Sequence, residues 1–415
     1  MVYNDGLRYY LESQKSWVKS FLSDILSIPS ESGKEGSVQK SIYNILKTFD
    51  VSCELIKINN DIIKDPEYSD IIKNLNYAGR PNLKAEKPGS GGKTIIINSH
   101  VDTVPPSALQ KNPYLPFIDS NNNIFARGAC DAKGQIAVMA LLLKAACEYK
   151  QFNHNIVCHM VIEEEIGGNG SLAMIKHEKN IKADALINME PTNLRIMTSM
   201  RGAVWFEMNF SGKSAHSGST SNSPNVIYKA IRAIEILKEY HYRLYNESKN
   251  YGLFSGMDNP MPLTVGQFIS GVWPSMVPNE SVIRGVIGFL PNRTREEVIQ
   301  GLINEFDKPE NIWIREGMQL SFNYRHNATE LPVSHWFAQG MSEACLKCNI
   351  HPVPTAMTAS TDAVFYQEML GIPVLAFGPG DIKFAHSADE HINLNDIIKG
   401  AEVILSFCDV AYNKE

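Results

Sequence analysis

The sequence lacks any long apolar segment, and this absence argues against several classes of protein. The longest hydrophobic run, residues 136–143, is eight residues long, whereas a membrane-spanning helix needs about 20. The first 14 residues contain charges and have no apolar core of the kind found in secretory signal peptides. We therefore expect a cytoplasmic protein that has no membrane as a partner.

A large excess of charge of either sign is also missing. The 415 residues include 39 basic and 45 acidic side chains, which gives a net charge of −6. A mildly acidic protein of this kind is not expected to bind nucleic acid. Because 44% of the residues are hydrophobic, the chain can form a large core, and its length suggests two domains.

Cysteine motifs are scarce. The seven cysteines are scattered and odd in number, which favours reduced thiols in the cytosol over a disulfide framework. Cys345 and Cys348 have a CxxC spacing, but no second such pair accompanies them in the sequence. We interpret them as two cysteines of a helix near the core rather than as zinc ligands or a redox pair.

Helices and strands alternate in the first half of the sequence. Helical periodicity and β-branched runs predict helices over 9–28, 37–49 and 135–149, and strands over 51–58, 93–99, 154–162 and 183–188. Residues 59–92 are expected to form a long irregular loop. The alternation predicts an α/β fold with a mixed, mostly parallel sheet and a site at the carboxyl ends of its strands.

This pattern changes near residue 197. Residues 203–210 alternate between polar and apolar, which is typical of a half-exposed antiparallel strand. A long amphipathic helix, two strands and another helix follow, and the α/β pattern returns after Leu331. We therefore predict one α/β domain of residues 1–197 and 326–415, interrupted by a smaller α+β domain of residues 198–325.

Candidate metal ligands follow the predicted strands. His100 directly follows the strand of residues 93–99. Asp102 can orient the imidazole of His100, as partners of metal-bound histidines do. Further candidates along the chain are Asp131, Glu164, Glu165, Glu190 and His386. Two histidines and several carboxylates suit a pair of divalent ions bridged by one carboxylate, and Zn²⁺ accepts both nitrogen and oxygen.

Other interpretations exist for each of these motifs. A histidine two residues before an aspartate is common by chance, and Glu163–Glu165 could be a charge run in solvent. The glycines of residues 167–170 could belong to a phosphate loop, but no Lys-Ser/Thr pair follows them. A further histidine, His216 in the run Ser214–Ser217, could simply cap a turn. We favour the metal site because the candidates recur at successive strand ends.

Six stretches of the sequence occur together in a recognisable order. They are Ser99–Pro105, Arg127–Gly134, Glu163–Gly167, Met189–Pro191, Gly212–Ser217 and His386–Glu390. In this order they resemble the M20 metallopeptidases and deacylases, which include acetylornithine deacetylase, succinyl-diaminopimelate desuccinylase, aminoacylase and glutamate carboxypeptidase. The resemblance implies a catalytic α/β domain interrupted by a lid domain that commonly dimerises, so we expect a homodimer through residues 198–325.

The resemblance also implies a metal-binding role for five matching residues. His100 and Glu190 would hold one Zn²⁺, Glu165 and His386 would hold the other, and Asp131 would bridge the two. Co²⁺ or Mn²⁺ could substitute for zinc.

Three more residues receive catalytic roles from the resemblance. Asp102 would orient His100, and Glu164 would be the general base. His216, from the neighbouring subunit, would stabilise the oxyanion. We therefore predict a zinc-dependent amidohydrolase that cleaves an N-acyl amino acid or a related small amide, with a short peptide as the alternative substrate.

Two features bear on the choice of substrate. Many family members carry an Asp-x-Arg just before the proline that ends a lid strand, and residues 284–291 lack that arginine. Either Arg284 replaces it or the substrate carboxylate is recognised differently. The Met189–Pro191 motif has a glutamate where family peptidases often have aspartate, and Gly79–Asn82 is similar to acetylornithine deacetylase-type members. Both favour a deacylase. The alternatives are a dipeptidase or carboxypeptidase of the same family and, as a different class, a non-catalytic metal-binding scaffold.

Overall fold

The computed structural model describes residues 5–218 and 224–410 of the chain. Its α-helices are α1 (Asp5–Ser13), α2 (Lys15–Leu26), α3 (Gly36–Leu46), α4 (Gly134–Glu148), α5 (Asn169–His177), α6 (Val226–Ser248), α7 (Arg295–Phe306), α8 (Ile312–Arg315), α9 (Trp336–Lys347), α10 (Ala363–Leu370) and α11 (Leu394–Cys408).

The strands of these ranges follow the same chain order. They are β1 (Ser52–Ile56), β2 (Asn82–Lys87), β3 (Thr94–His100), β4 (Phe117–Ile118), β5 (Asn123–Phe125), β6 (Asn155–Val161), β7 (Ala185–Asn188), β8 (Ile196–Met200), β9 (Gly202–Ser211), β10 (Ala215–His216), β11 (Leu263–Ser270), β12 (Met276–Val277), β13 (Glu280–Phe289), β14 (Met318–His326), β15 (Thr329–Glu330), β16 (Pro354–Met357), β17 (Val374–Ala376) and β18 (His391–Asn393).

Nine strands form a large mixed sheet. Its path is β1–β2–β6–β3–β7–β17–β8–β15, and β16 also pairs with β8. The central strands β6, β3, β7 and β17 run parallel, so their carboxyl ends lie at one edge. Ile95, Ile96 and Ile97 of β3 are fully buried, as expected for a strand covered on both faces. The predicted α/β class is confirmed.

Helix α4 is buried along almost its whole length. It packs against β3 and β6 of the sheet on one side and against α2 and α11 on the other. A helix enclosed in this way needs apolar residues all round rather than on one stripe, which explains the run of residues 136–143. This core supports the sheet edge at which the candidate ligands lie.

Two predictions of secondary structure were wrong. The helix expected over residues 9–28 is divided into α1 and α2 at Gln14, where the Ser13 hydroxyl donates a hydrogen bond to the Tyr10 carbonyl and so competes with the helical backbone. The loop expected over residues 59–92 contains β2, which lies between β1 and β6 in the sheet. The sequence of β2 has no β-branched residue, so pairing with its neighbours overrides its low strand propensity.

Residues 202–326 contain a separate four-stranded sheet of order β11–β13–β9–β14. Its strands are antiparallel, and Val204, Phe206 and Met208 of β9 are buried against helices α6 and α7. The change of pattern near residue 197 therefore marks the passage from one sheet to another. The domain limits themselves, 1–197 with 326–415 and 198–325, stay a prediction.

A two-stranded ribbon connects the two sheets. Met200 pairs with Thr329 on the side of the large sheet, and Ala203 pairs with His326 on the side of the small sheet. The connection from β8 to β9 therefore lies beside the connection from β14 to β15. Beside this ribbon, Arg295 at the start of α7 donates to the Arg325 carbonyl at 2.8 Å and forms an ion pair with Glu67, in which Nη2 lies 2.8 Å from Oε1.

The described residues include no helix whose length and apolarity would allow it to cross a bilayer.

Candidate metal centre

Side chains that follow neighbouring strands of the large sheet meet at one edge. His100 is the last residue of β3, Glu164 and Glu165 come shortly after β6, and Glu190 comes shortly after β7. Because these three strands are parallel neighbours, the residues after them are brought together at their carboxyl ends. His386 reaches the same edge from the loop after β17.

Contacts on both sides of its ring fix the orientation of His100. Its Nδ1 lies 3.0 Å from the backbone oxygen of Asp102 and 3.4 Å from Oδ1 of the same residue. Its Nε2 lies 3.0 Å from Oδ1 of Asp131. Burial opposes protonation of the ring, but Asp102 and Asp131 outweigh burial and raise the pKa of His100. The contacts at Nδ1 direct Nε2 towards the other candidate ligands.

Asp131 lies between the two histidines. Its Oδ1 is 3.0 Å from Nε2 of His100, and its Oδ2 is 3.3 Å from Nε2 of His386. Burial would raise the pKa of this carboxyl, but hydrogen bonds with both histidines lower it. A carboxylate with one oxygen towards each imidazole has the arrangement that a ligand bridging two ions requires.

His386 occupies the side of the cluster that is open to solvent, with 51% of its side chain exposed. Its Nε2 lies 3.1 Å from Glu165. Hydrogen bonds with Asp131 and Glu165 raise the pKa of His386 to about 10, and burial raises that of Glu165 to about 7. His391, the other histidine of this loop, instead has its Nδ1 2.7 Å from the Asp389 carbonyl and its ring against Phe384.

A deeper group consists of carboxylates alone. Oxygen atoms of Glu164, Glu190 and Asp362 lie within 4.8 Å of one another. Burial is the largest cause that raises the pKa of all three, and repulsion from neighbouring carboxylates adds to it. Asp362, which accepts hydrogen bonds from Asn98 (3.1 Å) and Ser171, was missed by the sequence analysis. The signal available was an aspartate directly before helix α10, which is too common to single out a site.

The five predicted ligands and Glu164 therefore lie in one cluster, although their grouping differs from the one that the resemblance implies. Ligand atoms of His100, Asp131 and Glu165 lie within 4.8 Å of one another, whereas Glu190 lies with Glu164 and Asp362. Taken together, the cluster has more carboxylates than cationic partners. Buried negative charge of this kind, with imidazole nitrogens among the donors, fits divalent ions such as Zn²⁺.

Asp102 contacts more than His100. Its Oδ1 accepts a hydrogen bond from the backbone N–H of Glu164 at 3.0 Å, and its Oδ2 accepts one from that of Glu165 at 3.2 Å. The Ser32 hydroxyl donates a third at 2.7 Å. Asp102 thus links the orientation of His100 to the position of the two glutamates.

His216 and Arg284 lie in the small-sheet part of the chain. His216 is exposed in β10, where its Nδ1 accepts a hydrogen bond from the Gly218 N–H at 3.1 Å. Arg284 donates to Glu207 at 2.7 Å and to Gln267 at 3.0 Å, and with Trp205 it lines a cavity of about 610 Å³. The Arg284 guanidinium, which is the candidate to replace the missing lid arginine, is therefore already paired with the Glu207 carboxylate.

Comparisons with known proteins find similar sequences over most of the chain. The family model described as peptidase family M20/M25/M40 matches residues 96–409. An acetylornithine deacetylase of Myxococcus xanthus is 25% identical over 350 residues, which cover 81% of this chain and 87% of the relative. A deformylase of N-formyl-4-amino-5-aminomethyl-2-methylpyrimidine from Bacillus subtilis is 25% identical over 375 residues, covering 80% and 83%.

Solved structures share the fold. The dipeptidase Dug1p of Saccharomyces cerevisiae superposes with a TM-score of 0.77 at 16% identity, over 97% of each chain. The M20 metallo-carboxypeptidase Sso-CP2 of Sulfolobus solfataricus has a TM-score of 0.76 at 18% identity, over 94% of this chain and 98% of the other.

Proposed function

The chain belongs to peptidase family M20/M25/M40, and we propose that it is a dizinc amidohydrolase that deacylates an N-acyl amino acid or a related small amide. The observation that supports this most directly is the position of Asp131 between His100 and His386, with Glu164 in the same cluster. The relatives named as a deacetylase and a deformylase favour an acyl group as the part removed.

In this proposal, five residues hold the ions. His100 and Glu190 would hold one Zn²⁺, Glu165 and His386 would hold the other, and Asp131 would be shared between them, with Co²⁺ or Mn²⁺ as substitutes. When bound, such ions polarise the amide carbonyl and lower the pKa of a water molecule to about 7. Asp102 keeps Nε2 of His100 directed at the cluster.

Glu164 is the proposed general base. Its backbone N–H is fixed by Asp102, and its carboxylate lies with those of Glu190 and Asp362. The carboxylate takes a proton from the attacking water and returns it to the nitrogen of the leaving amine. A non-catalytic scaffold would bind metal ions through its ligands alone and would not need Glu164. The presence of Glu164 therefore favours the enzyme over the scaffold.

We further propose that His216 donates a hydrogen bond to the oxyanion in the site of a second copy of the chain. Strand β11 is an outer strand of the small sheet, so it offers unpaired backbone groups to another strand. Ile269 of β11 is 58% exposed, and Trp273 shortly after it is 68% exposed. A homodimer through this edge would cover both side chains.

The second candidate function is a dipeptidase or carboxypeptidase. It is favoured by the fold shared with Dug1p and Sso-CP2. Either activity is compatible with a cytoplasmic location, which we propose because the seven cysteines of the sequence are scattered and odd in number.

A substrate panel on zinc-reconstituted protein tests the proposal. N-acetyl, N-formyl and N-succinyl derivatives of each amino acid are compared with a set of dipeptides, and release of free amine is measured. We expect the best acylated amino acid to exceed every dipeptide in kcat/KM. The opposite order would assign the chain to the peptidases, and no hydrolysis of either class by protein with two bound ions would favour the scaffold.

A further inference from the structure

The segment Gly79–Asn82 is hydrogen-bonded to the turn of residues 162–170, which includes Glu164 and Glu165. We infer that this segment positions the turn for catalysis, through Arg80 and Asn82. The inference rests on the proposed function, because it takes Glu164 as the general base. Neither Arg80 nor Asn82 belongs to the candidate metal centre, so both are positioning residues.

Arg80 joins two buried glutamates. It is 6% exposed, and its Nε and Nη2 donate to the two carboxylate oxygens of Glu35 at 2.7 and 3.0 Å. The same Nη2 also donates to Oε1 of Glu163. A planar guanidinium can make such fork-shaped contacts, whereas a lysine ammonium cannot reproduce them.

Glu163 is the residue that transmits this contact to the turn. Its carboxylate is fully buried and also accepts hydrogen bonds from the Tyr77 hydroxyl at 2.7 Å and from Asn169 at 2.9 Å. Its backbone φ of 60° is uncommon for a residue with a side chain, and surrounding contacts must maintain such a conformation. Glu163 therefore points to Arg80, while Glu164 and Glu165, the next two residues, face the metal ligands.

Asn82 connects the two ends of the same turn. Its Oδ1 accepts a hydrogen bond from the Ile162 N–H at 3.1 Å, and its Nδ2 donates to the Gly170 carbonyl at 2.7 Å. The ends approach so closely that a Cβ on Gly170 would lie 2.1 Å from the Ile162 oxygen. On the opposite side, Asp102 accepts from the backbone of Glu164 and Glu165. Asn82 thus holds the two ends of the turn, Arg80 holds Glu163, and Asp102 holds the backbone of Glu164 and Glu165.

These contacts matter for catalysis because a general base acts only within a narrow range of positions. If Arg80 positions Glu164, replacing Arg80 should lower kcat while substrate binding changes little. The same loss should weaken zinc binding, since Glu165 lies on the same turn. A residue that only stabilises the fold would change neither quantity per folded chain.

The test uses Arg80→Lys in the full-length chain, with Lys84→Gln as the matched control. Lys84 lies on β2, four residues after Arg80, and is also in an ion pair, 2.9 Å from Glu178. Its described hydrogen bonds and ion pairs include no residue of the turn. For Arg80→Lys we expect kcat per folded chain and zinc affinity, measured by competition with a chelator, each to fall about 10–100-fold, with KM within about 3-fold. Lys84→Gln should leave kcat and zinc affinity unchanged, even where its unfolding midpoint falls.

Tyr77→Phe is the second variant, because it removes one hydrogen bond to Glu163 without removing a charge. We expect it to lower kcat in the same direction but by less. If both Arg80→Lys and Tyr77→Phe lower only the unfolding midpoint, as the control does, the inference is overturned. If the wild-type protein hydrolyses nothing on the panel, the proposed function fails, and zinc affinity still decides whether the segment positions the turn.

Discussion

The two ends of the acidic cluster differ in their access to water. At the inner end, Glu190 is 5% exposed and Asp362 is 1% exposed. At the outer end, 51% of the His386 side chain is exposed. An ion held at the outer end would be able to exchange ligands with solvent directly, whereas one held at the inner end would be enclosed by protein. The two positions should therefore differ in how readily they release an ion, although Asp131 is shared.

The largest expected effect separates two adjacent glutamates, Glu164 in the inner group and Glu165 beside His386. Glu164→Gln should keep both zinc ions and lower kcat about 10²–10⁴-fold, because the amide cannot accept the proton. Glu165→Gln should instead lower the zinc content. Steady-state kinetics and metal analysis of both variants check this. A Glu164→Gln variant with more than a tenth of wild-type kcat would mean that another residue is the base.

His216 belongs to neither end of the cluster, and its replacement tests whether the site is complete within one chain. His216→Ala should lower kcat about 10²–10³-fold with zinc content unchanged, as expected for loss of an oxyanion donor. When this variant is mixed with Glu164→Gln, hybrid dimers contain one intact site, so activity should return. Hybrids detected by native mass measurement without any activity would place His216 outside the partner's site.

Zinc release tests the comparison directly. Wild-type protein should bind about two ions and lose them to a chelator in two phases, with the faster phase from the outer end. His386→Asn should remove only the fast phase, Glu190→Gln should mainly speed up the slow phase, and Asp131→Asn should weaken both. Release of both ions in a single phase from wild-type protein would show that the two ends are equivalent.

The smallest expected effect concerns His159, which lies beneath the cluster rather than in it. Its Nδ1 is 2.9 Å from the Tyr366 hydroxyl, which donates to Asn98. Burial, with a contribution from Lys84, lowers the pKa of His159 to about 3, below the value of about 6.5 in an unfolded chain. The histidine is therefore neutral in the folded state, so its contribution to stability is present above pH 6.5 and is lost as the pH falls towards 3.

Between pH 6.5 and 5 this contribution should decrease by about 1.4 kcal/mol per pH unit. Urea unfolding of metal-free wild-type and His159→Asn proteins at pH 7 and pH 5 measures it as the difference between their pH dependences. An equal pH dependence in the two proteins would mean that His159 is not held neutral.

The positions of the candidate residues at strand ends could be predicted because their local signals are strong, whereas their metal-binding and catalytic roles stay predictions. His100 follows a run of β-branched residues, and the glutamates after β6 follow another. Strand β2 was not predicted, since Asn82–Lys87 is largely polar and becomes a strand only between β1 and β6. Residues Arg80 and Asn82 were consequently interpreted through a family likeness alone, without their contacts to the turn.

The grouping of the ligands could not be predicted either. It depends on which strands become neighbours, and in the sheet β17 lies between β7 and β8 although nearly 180 residues separate it from β8 in the chain. Asp362 is brought to Glu164 and Glu190 by this arrangement. Its own surroundings in the sequence, a short segment before a helix, contain no metal-binding spacing.

The ribbon between the sheets limits how the two parts of the molecule can move. Sliding within the plane of the ribbon would break the pairing of Met200 with Thr329 and of Ala203 with His326, whereas bending out of that plane preserves both pairs. Bending about the ribbon is opposed by contacts beside it, since Arg295 pairs with Glu67 and Nε2 of His326 lies 3.2 Å from the Gly167 carbonyl oxygen. The distance between two spin labels, one on each sheet, would report the extent of this bending.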